Sequence, residues 1–177
     1  MDIDVPTIRL VRPDEIDILV AIDDDAGRLY ADAGLPIELA PDHPFVVAEQ
    51  ARWRQAAGLG QVFLAVDAEG RGVGFAALGW VGGEPYLEQL SVRLDAMRRG
   101  LGRRLLRRAI EWAAQQDRAS LWLTTYGHLS FNRAFYEREG FVVVAESEWP
   151  PDIEHHIAEQ RGCLPDPEQR IAMRRAV

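Results

Sequence analysis

Apolar positions along the chain switch between the two-residue period of a strand and the three-to-four-residue period of a helix, and the switches predict the elements. "TIRLVR" (Thr7–Arg12) has strand-like apolar residues. In "PDEIDILVAIDDDAGRLYADAG", Ile16, Ile18 with Leu19, and Ile22 recur at helical spacing, with Gly34 as a stop. "HPFVVAEQARWRQAAG" predicts a second helix ending near Gly58, and "QVFLAVDAEGRGVGFAALGWV" predicts a hairpin turning at "AEGRG". "GGEP" makes another turn before the strand "YLEQLSV". An amphipathic helix then runs from Gly100 to about Gln116, its apolar side supplied by Leu105, Leu106, Ala109, Ile110 and Ala113. "ASLWLTTY" is a strand, "SFNRAFYEREG" a short helix capped by Ser130 and stopped by Gly140, and "FVVVAE" a strand. "PDIEHHIAEQRG" predicts a helix and "QRIAMRRA" the last strand. The order βααβββαβαβ(α)β indicates a mixed α/β sheet domain with no internal repeat and no dividing linker.

Composition narrows the class. A chain of 177 residues suffices for one domain with a hydrophobic core, and 47% hydrophobic with 27% charged residues is a globular balance. No apolar run approaches the ~20 residues that span a bilayer. "MDIDVPTIRL" lacks the basic and apolar regions of a signal peptide, so a cytoplasmic protein without membrane attachment is expected. Cys163 is the only cysteine, which leaves no disulfide framework and no thiolate metal cluster. His155 and His156 are adjacent, without the i,i+4 spacing of a helical zinc pair, and no metal site is expected. All 20 basic residues are arginine, so a Walker A loop, which needs its lysine, is excluded. A net charge of −8 and a sequence pI near 5.0 argue against nucleic acid as a partner.

Within this acidic chain, "MRRGLGRRLLRRA" (Met97–Ala109) concentrates six arginines between Arg98 and Arg108. Gly100 and Gly102 permit backbone conformations closed to other residues and keep side chains out of the turn. The first amides of the following helix lack intrahelical acceptors and carry the positive end of its dipole. Arg98, Arg99, Arg103 and Arg104 bracket that point and add charge-assisted donors, so the segment reads as a pyrophosphate cradle built mostly from backbone. Arg107 and Arg108 lie further along and read as solvated helix residues.

Two ordered motifs carry a resemblance to a family. "LSVRLDAMRRGLGRRLL" resembles the acetyl-CoA-binding motif of the GNAT acetyltransferases, (Q/R)-x-x-G-x-(G/A) after a strand ending in valine, with Val92 eight residues before Gly100. "NRAFYEREGF" (Asn132–Phe141) resembles the family's asparagine-helix-tyrosine-glycine-phenylalanine ending, and the closing "QRIAMRR" resembles the final strand of a bacterial subgroup. The chain departs from the pattern twice. Met97 stands at the Q/R position, and the asparagine lies four residues before the tyrosine rather than seven, where Leu129 stands. The resemblance implies a single-domain GNAT fold over residues 7–177 after an N-terminal arm at 1–6. Its sheet would be mixed, largely antiparallel, of six to seven strands flanked by helices.

The resemblance further implies transfer of an acetyl group from acetyl-CoA to an amine. Backbone at Leu90, Ser91 and Val92 would pair with the pantetheine arm, and the segment Arg98, Arg99, Gly100, Leu101, Gly102, Arg103, Arg104 would hold the pyrophosphate. Asn132 would contact the cofactor, and Tyr136 would contact it and act as general acid. Glu88, on the strand leading to the cradle, is the candidate base, with Glu84 in the turn as the other carboxylate. Period 2 puts Glu88 on the side of Tyr86, Leu90 and Val92 unless a bulge intervenes. "DDD" (Asp23–Asp25) with Glu84 and Glu88 could form an acidic mouth for a cationic amine or be an ordinary solvated charge run. Tyr30, Trp53, Trp80 and Tyr86 could line an aromatic acceptor pocket, although core packing explains the tryptophans equally well. Polyamine, antibiotic, amino acid, peptide N-terminus and protein lysine stay open as acceptors, as do acyl length and a homodimer. A non-catalytic acyl-CoA-binding module is the alternative.

Overall fold

Glu15 shows how the first helix is entered. Its buried carboxylate accepts bonds from Arg9 Nη1 and Nη2 (2.8 and 2.7 Å) and from the Arg12 amide (2.8 Å), closing a single 3-10 turn at Pro13–Glu15. The computed structural model describes residues 5–177, so the first four residues of the expected arm lie outside the described residues. The helix that follows, α1 (Ile16–Asp32), buries Ile16, Leu19, Ile22 and Ala26 and ends at Gly34, whose φ of +80° few other residues adopt. Hydrogen bonding to Arg9, chiefly, lowers the Glu15 carboxyl from 4.5 to about 2. Because the folded value lies below the unfolded one, this stabilisation is complete above pH 4.5 and is lost as pH falls toward about 2. Glu15→Ala is expected to cost about 1–2 kcal/mol in urea unfolding at neutral pH. The difference from the parent should shrink on acidification.

The chain forms two compact units. One comprises the residues up to Gly79 with Glu88–Ala109, the other Trp80–Leu87 with Ile110–Val177. In the first, β1 (Thr7–Leu10) pairs antiparallel with β2 (Val62–Val66), and β2 with β3 (Gly72–Val81), whose register shifts between Ala65 and Val66. Helix α2 (Pro44–Gly58) starts with Pro44 at its first position and the His43 ring accepting from the Phe45 amide. Leu19 and Ile22 of α1 and Trp53, Ala56 and Ala57 of α2 pack on Val62, Leu64, Phe75 and Ala77, one side of the β2–β3 ladder. Helix α3 (Leu101–Ala114) buries Leu101, Leu105, Leu106, Ala109 and Ala113, the predicted stripe at helical spacing.

The second unit is built on β5 (Ser120–Tyr126), β6 (Val142–Val144) and β7 (Arg170–Ala176), with α4 (Arg133–Arg138) and α5 (Pro151–Cys163). β7 pairs antiparallel with both β5 and β6. Strand β4 (Glu84–Val92) meets β5 in parallel at the pair Tyr86↔Trp122. The strand order is β1-β2-β3-β4-β5-β7-β6, a mixed seven-stranded sheet, and the fold class is the α/β one expected. The last strand enters between its two predecessors, which no local pattern announces. Tyr86, Trp122, Val144, Ile153, Ile157 and Ala172 form this unit's core.

Several boundaries differ from expectation, among them the start of β4, which at Glu84 falls inside the expected turn "GGEP". β6 has three residues rather than six, because a 3-10 turn begins at Glu146. The N-cap of α4 is Asn132, not Ser130. No helix among the described residues is long and apolar enough to cross a membrane.

Candidate active site

Strand β4 leaves its pairing through a segment fastened from two sides. Asp23 Oδ1 on α1 accepts from Gln89 Nε2 and Ser91 Oγ, both at 2.7 Å. Two residues on, Asp25 Oδ2 accepts from the Leu94 amide at 2.8 Å, and its Oδ1 pairs with Arg28. On the β3 side the Arg93 amide donates to the Val73 carbonyl (2.9 Å) and Arg93 Nε to the Gly72 carbonyl (2.8 Å). The backbone of Leu90, Ser91 and Val92 is thereby held rigidly from flanking residues. Burial pushes the Asp23 carboxyl up, against the two hydrogen bonds that lower it. The expected acidic mouth is therefore corrected. Asp23 and Asp25 turn inward to fasten β4, and Asp24 is the exposed member of the three.

Side-chain direction on β4 also departs from simple alternation. Phe75 and Ala77 face α1 and α2, and a Cβ on Gly79, next in that series, would sit 3.0 Å from Glu88 Oε1. A Cβ on Gly74 would instead meet Leu105 of α3 and Val92 Cγ2, at 3.1 and 3.3 Å. Glu88 and Val92 thus face opposite sides, although an even count separates them, while Gln89 and Ser91 reach α1. The alternation slips between Glu88 and Gln89, as a β-bulge makes it do. The expectation that Glu88 shares a side with Leu90 and Val92 is overturned by that slip.

Glu88, the candidate base, is a buried carboxylate on β4. Its side chain is 5% exposed, and Oε2 accepts from Arg52 Nε on α2 at 3.1 Å. Oε1 accepts no hydrogen bond among the described residues. Burial raises the Glu88 carboxyl, and the charge and hydrogen bond of Arg52 oppose the rise. A buried carboxylate with a raised affinity for protons and one open oxygen is equipped to accept a proton at neutral pH. Arg52 escaped the sequence reading because its partner is 36 residues away. The available signal was an arginine directly beside the buried Trp53, at the edge of an apolar stripe.

Beyond Val92 a 3-10 turn (Leu94–Ala96) leads to Met97 in extended conformation, then to Arg98 at φ 61° and Gly100 at φ 77°. Helix α3 opens at Leu101, and the Arg104 amide bonds the Gly100 carbonyl at 3.1 Å. The amides of Leu101, Gly102 and Arg103 fall in the first turn, where helix geometry provides no intrahelical acceptor. Arg98, Arg99, Gly100 and Arg103 are exposed around that turn. Arg104 has another partner, its Nη1 donating to the Pro6 carbonyl at 2.9 Å. Arg108 lies over the Phe63 ring at 5.3 Å. Gly100 requires its left-handed backbone, yet a Cβ there would touch no other atom of the protein within 4 Å. Gly100→Ala is expected to cost about 1 kcal/mol of stability through φ alone. A pyrophosphate held at this turn would meet the new methyl, and isothermal titration with coenzyme A tests that as a Kd raised about tenfold or more.

In the second unit, Asn132 is buried and caps α4 through its carbonyl, which accepts from the Tyr136 amide at 3.2 Å. Its side chain makes no cap hydrogen bond. Tyr136 is half-buried, with its ring edge-on to Phe135 (5.1 Å) and Phe141 (5.7 Å). Of the aromatic residues that could line an acceptor pocket, Trp53 meets Phe75 edge-on in the core of the first unit, which is the core-packing alternative, and Tyr86 lies in the core of the second. Tyr86 closes a polar network in which its hydroxyl meets Thr124 Oγ1 at 2.6 Å, and Gln160 Oε1 accepts from Thr124 and Arg170. No group of three or more His, Cys, Asp or Glu among the described residues could hold a metal ion.

Residues 58–143 match the family described as acetyltransferase (GNAT) domain. Among solved structures, N-acetylglutamate synthase from Neisseria gonorrhoeae, complexed with coenzyme A and N-acetyl-glutamate, is 18% identical with a TM-score of 0.67. That match covers 97% of this chain but 35% of the synthase, so the chain spans about a third of its length. The PaiA N-acetyltransferase from Thermoplasma acidophilum, in complex with coenzyme A, is 14% identical over 97% of this chain and 99% of its own, with a TM-score of 0.68. An acetyltransferase of the GNAT family from Staphylococcus aureus is 16% identical over 97% and 98%, also with a TM-score of 0.68. At these identities the likeness is one of fold.

Proposed function

We propose that the chain is a GNAT acetyltransferase, a reading supported by the match of residues 58–143 to that domain, and that it transfers an acetyl group from acetyl-CoA to a primary amine by direct attack in a ternary complex. The observation that carries the proposal is Glu88. It is a buried carboxylate with one open oxygen, on the strand that leads into the glycine-arginine turn.

The residues at that turn fit a pyrophosphate. First-turn amides, the exposed Gly100 and the arginines 98, 99 and 103 supply donors and positive charge without an intruding side chain. Arg104, engaged with Pro6, contributes through the helix rather than its side chain. Backbone groups of Leu90, Ser91 and Val92 would orient the pantetheine arm, and the buried Asn132 would add a polar contact. Bound acetyl-CoA supplies the activated acyl group.

Glu88 Oε1 takes the proton of the acceptor ammonium, which frees the nitrogen lone pair. A carbon–nitrogen bond forms as the carbon–sulfur bond breaks, and Tyr136 gives its hydroxyl proton to the leaving thiolate. The second proton shed by the nitrogen as the amide forms restores the Tyr136 hydroxyl, and Glu88 releases its proton to solvent. Positioning supplies most of the acceleration, with proton transfer adding about 10²–10⁴-fold. Release of free coenzyme A from acetyl-CoA across a panel of primary amines tests the reading. Binding of acetyl-CoA with no turnover on any amine would leave only an acyl-CoA-binding module.

A further inference from the structure

We infer that the acceptor is a zwitterionic α-amino acid whose carboxylate is received by Arg52, an assignment that rests on the acetyltransferase reading above. Arg52 gives only Nε to Glu88, and its side chain is 35% exposed. Its two Nη atoms make no hydrogen bond among the described residues. A guanidinium presents five donors in a planar fork, and the unused edge matches a carboxylate with two parallel bonds. Glu88 Oε1, the acceptor on the other half of the pair, packs against Gly79, where a Cβ would sit 3.0 Å from it.

The pair therefore offers a negative oxygen and a positive fork, separated by the width of a single ion pair. An α-amino acid carries the complementary arrangement, with its ammonium and carboxylate on adjacent atoms of one carbon. Docked head to tail, the ammonium faces Glu88 and the carboxylate faces Arg52, and neither protein charge loses its partner. A polyamine fits this site poorly. Its cationic groups would meet Arg52, and Asp23 and Asp25, which could have offset that charge, are bonded to Gln89, Ser91, Leu94 and Arg28. Desolvating an arginine fork without a matching anion also costs more than pairing it does.

Coenzyme A release by the full chain should be measured with the twenty L-α-amino acids, their carboxamides, putrescine and spermidine. At least one amino acid is expected to exceed its own amide in kcat/KM by about 10- to 100-fold, the effect of a charge-assisted hydrogen-bond pair. Arg52→Gln should bring that ratio close to one, and Arg52→Lys should retain part of it. If Arg52 served only to hold Glu88, acid and amide would fall together and their ratio would persist, which overturns the inference. Faster turnover of putrescine or spermidine than of every amino acid would overturn it as well, while leaving the acetyltransferase reading intact. Turnover of no amine at all would sink both.

Discussion

Tyr136→Phe is expected to lower kcat about 10²-fold or more while leaving the KM for acetyl-CoA within a factor of about three. The asymmetry follows from what the change removes. The ring sits edge-on between Phe135 and Phe141, and the Tyr136 carbonyl accepts the Phe141 amide at 3.1 Å, closing the end of α4. Phenylalanine preserves these contacts, so the helix and its neighbours stay in place. The change removes the hydroxyl, which under the proposed mechanism acts as sulfur leaves rather than when the cofactor binds. Steady-state kinetics with varied acetyl-CoA separate the two constants. Unchanged kcat would remove the acid role, and a matching rise in KM would recast Tyr136 as a cofactor contact.

Glu88→Gln should lower kcat/KM for the amine by about 10²-fold at neutral pH and erase the acidic limb of the pH profile. Under the proposed mechanism the carboxylate is the active form. Burial raises its proton affinity, so the rate should fall as pH drops through a value above the ordinary glutamate range. Removing the opposing charge with Arg52→Gln should move that limb to higher pH. Linkage runs the other way for stability. A folded value raised above the unfolded one favours the fold below the unfolded value, and the advantage is lost as pH rises through the folded value. Glu88→Gln should accordingly keep its thermal midpoint within a few degrees of the parent at neutral pH. That distinguishes lost chemistry from lost structure. A pH–rate profile with its acidic limb intact in this variant would assign the base elsewhere.

Most of the secondary structure was legible because it is written in short-range periodicity. The stripe of Leu105, Leu106, Ala109 and Ala113 marks α3 without reference to anything it packs on, and Gly34 and Gly140 mark stops through left-handed backbones. The glycine-arginine turn was equally visible, since its chemistry comes from contiguous residues and from the start of the helix they open. Arg104 shows the limit of that reading. It shares the turn's composition, but the chain that passes nearest to it is Pro6, 98 positions away.

What sequence alone determined here is most of the set of elements and the place of the glycine-arginine turn, and it singled out the two candidate proton-transfer residues, Glu88 and Tyr136. Each depends on residues within a few positions of one another. The tertiary structure decided which charges are spent and which are available. Asp23 and Asp25, conspicuous as a run of acids, are consumed in fastening β4, while Arg52, inconspicuous on α2, neutralises one oxygen of Glu88 and keeps its own fork open. A slip of one residue in β4 and the insertion of β7 between β5 and β6 likewise belong to the assembled sheet. The physical reason is common to all of them. Desolvation and ion pairing depend on distances across the fold, and a local pattern carries no record of what will lie on the other side.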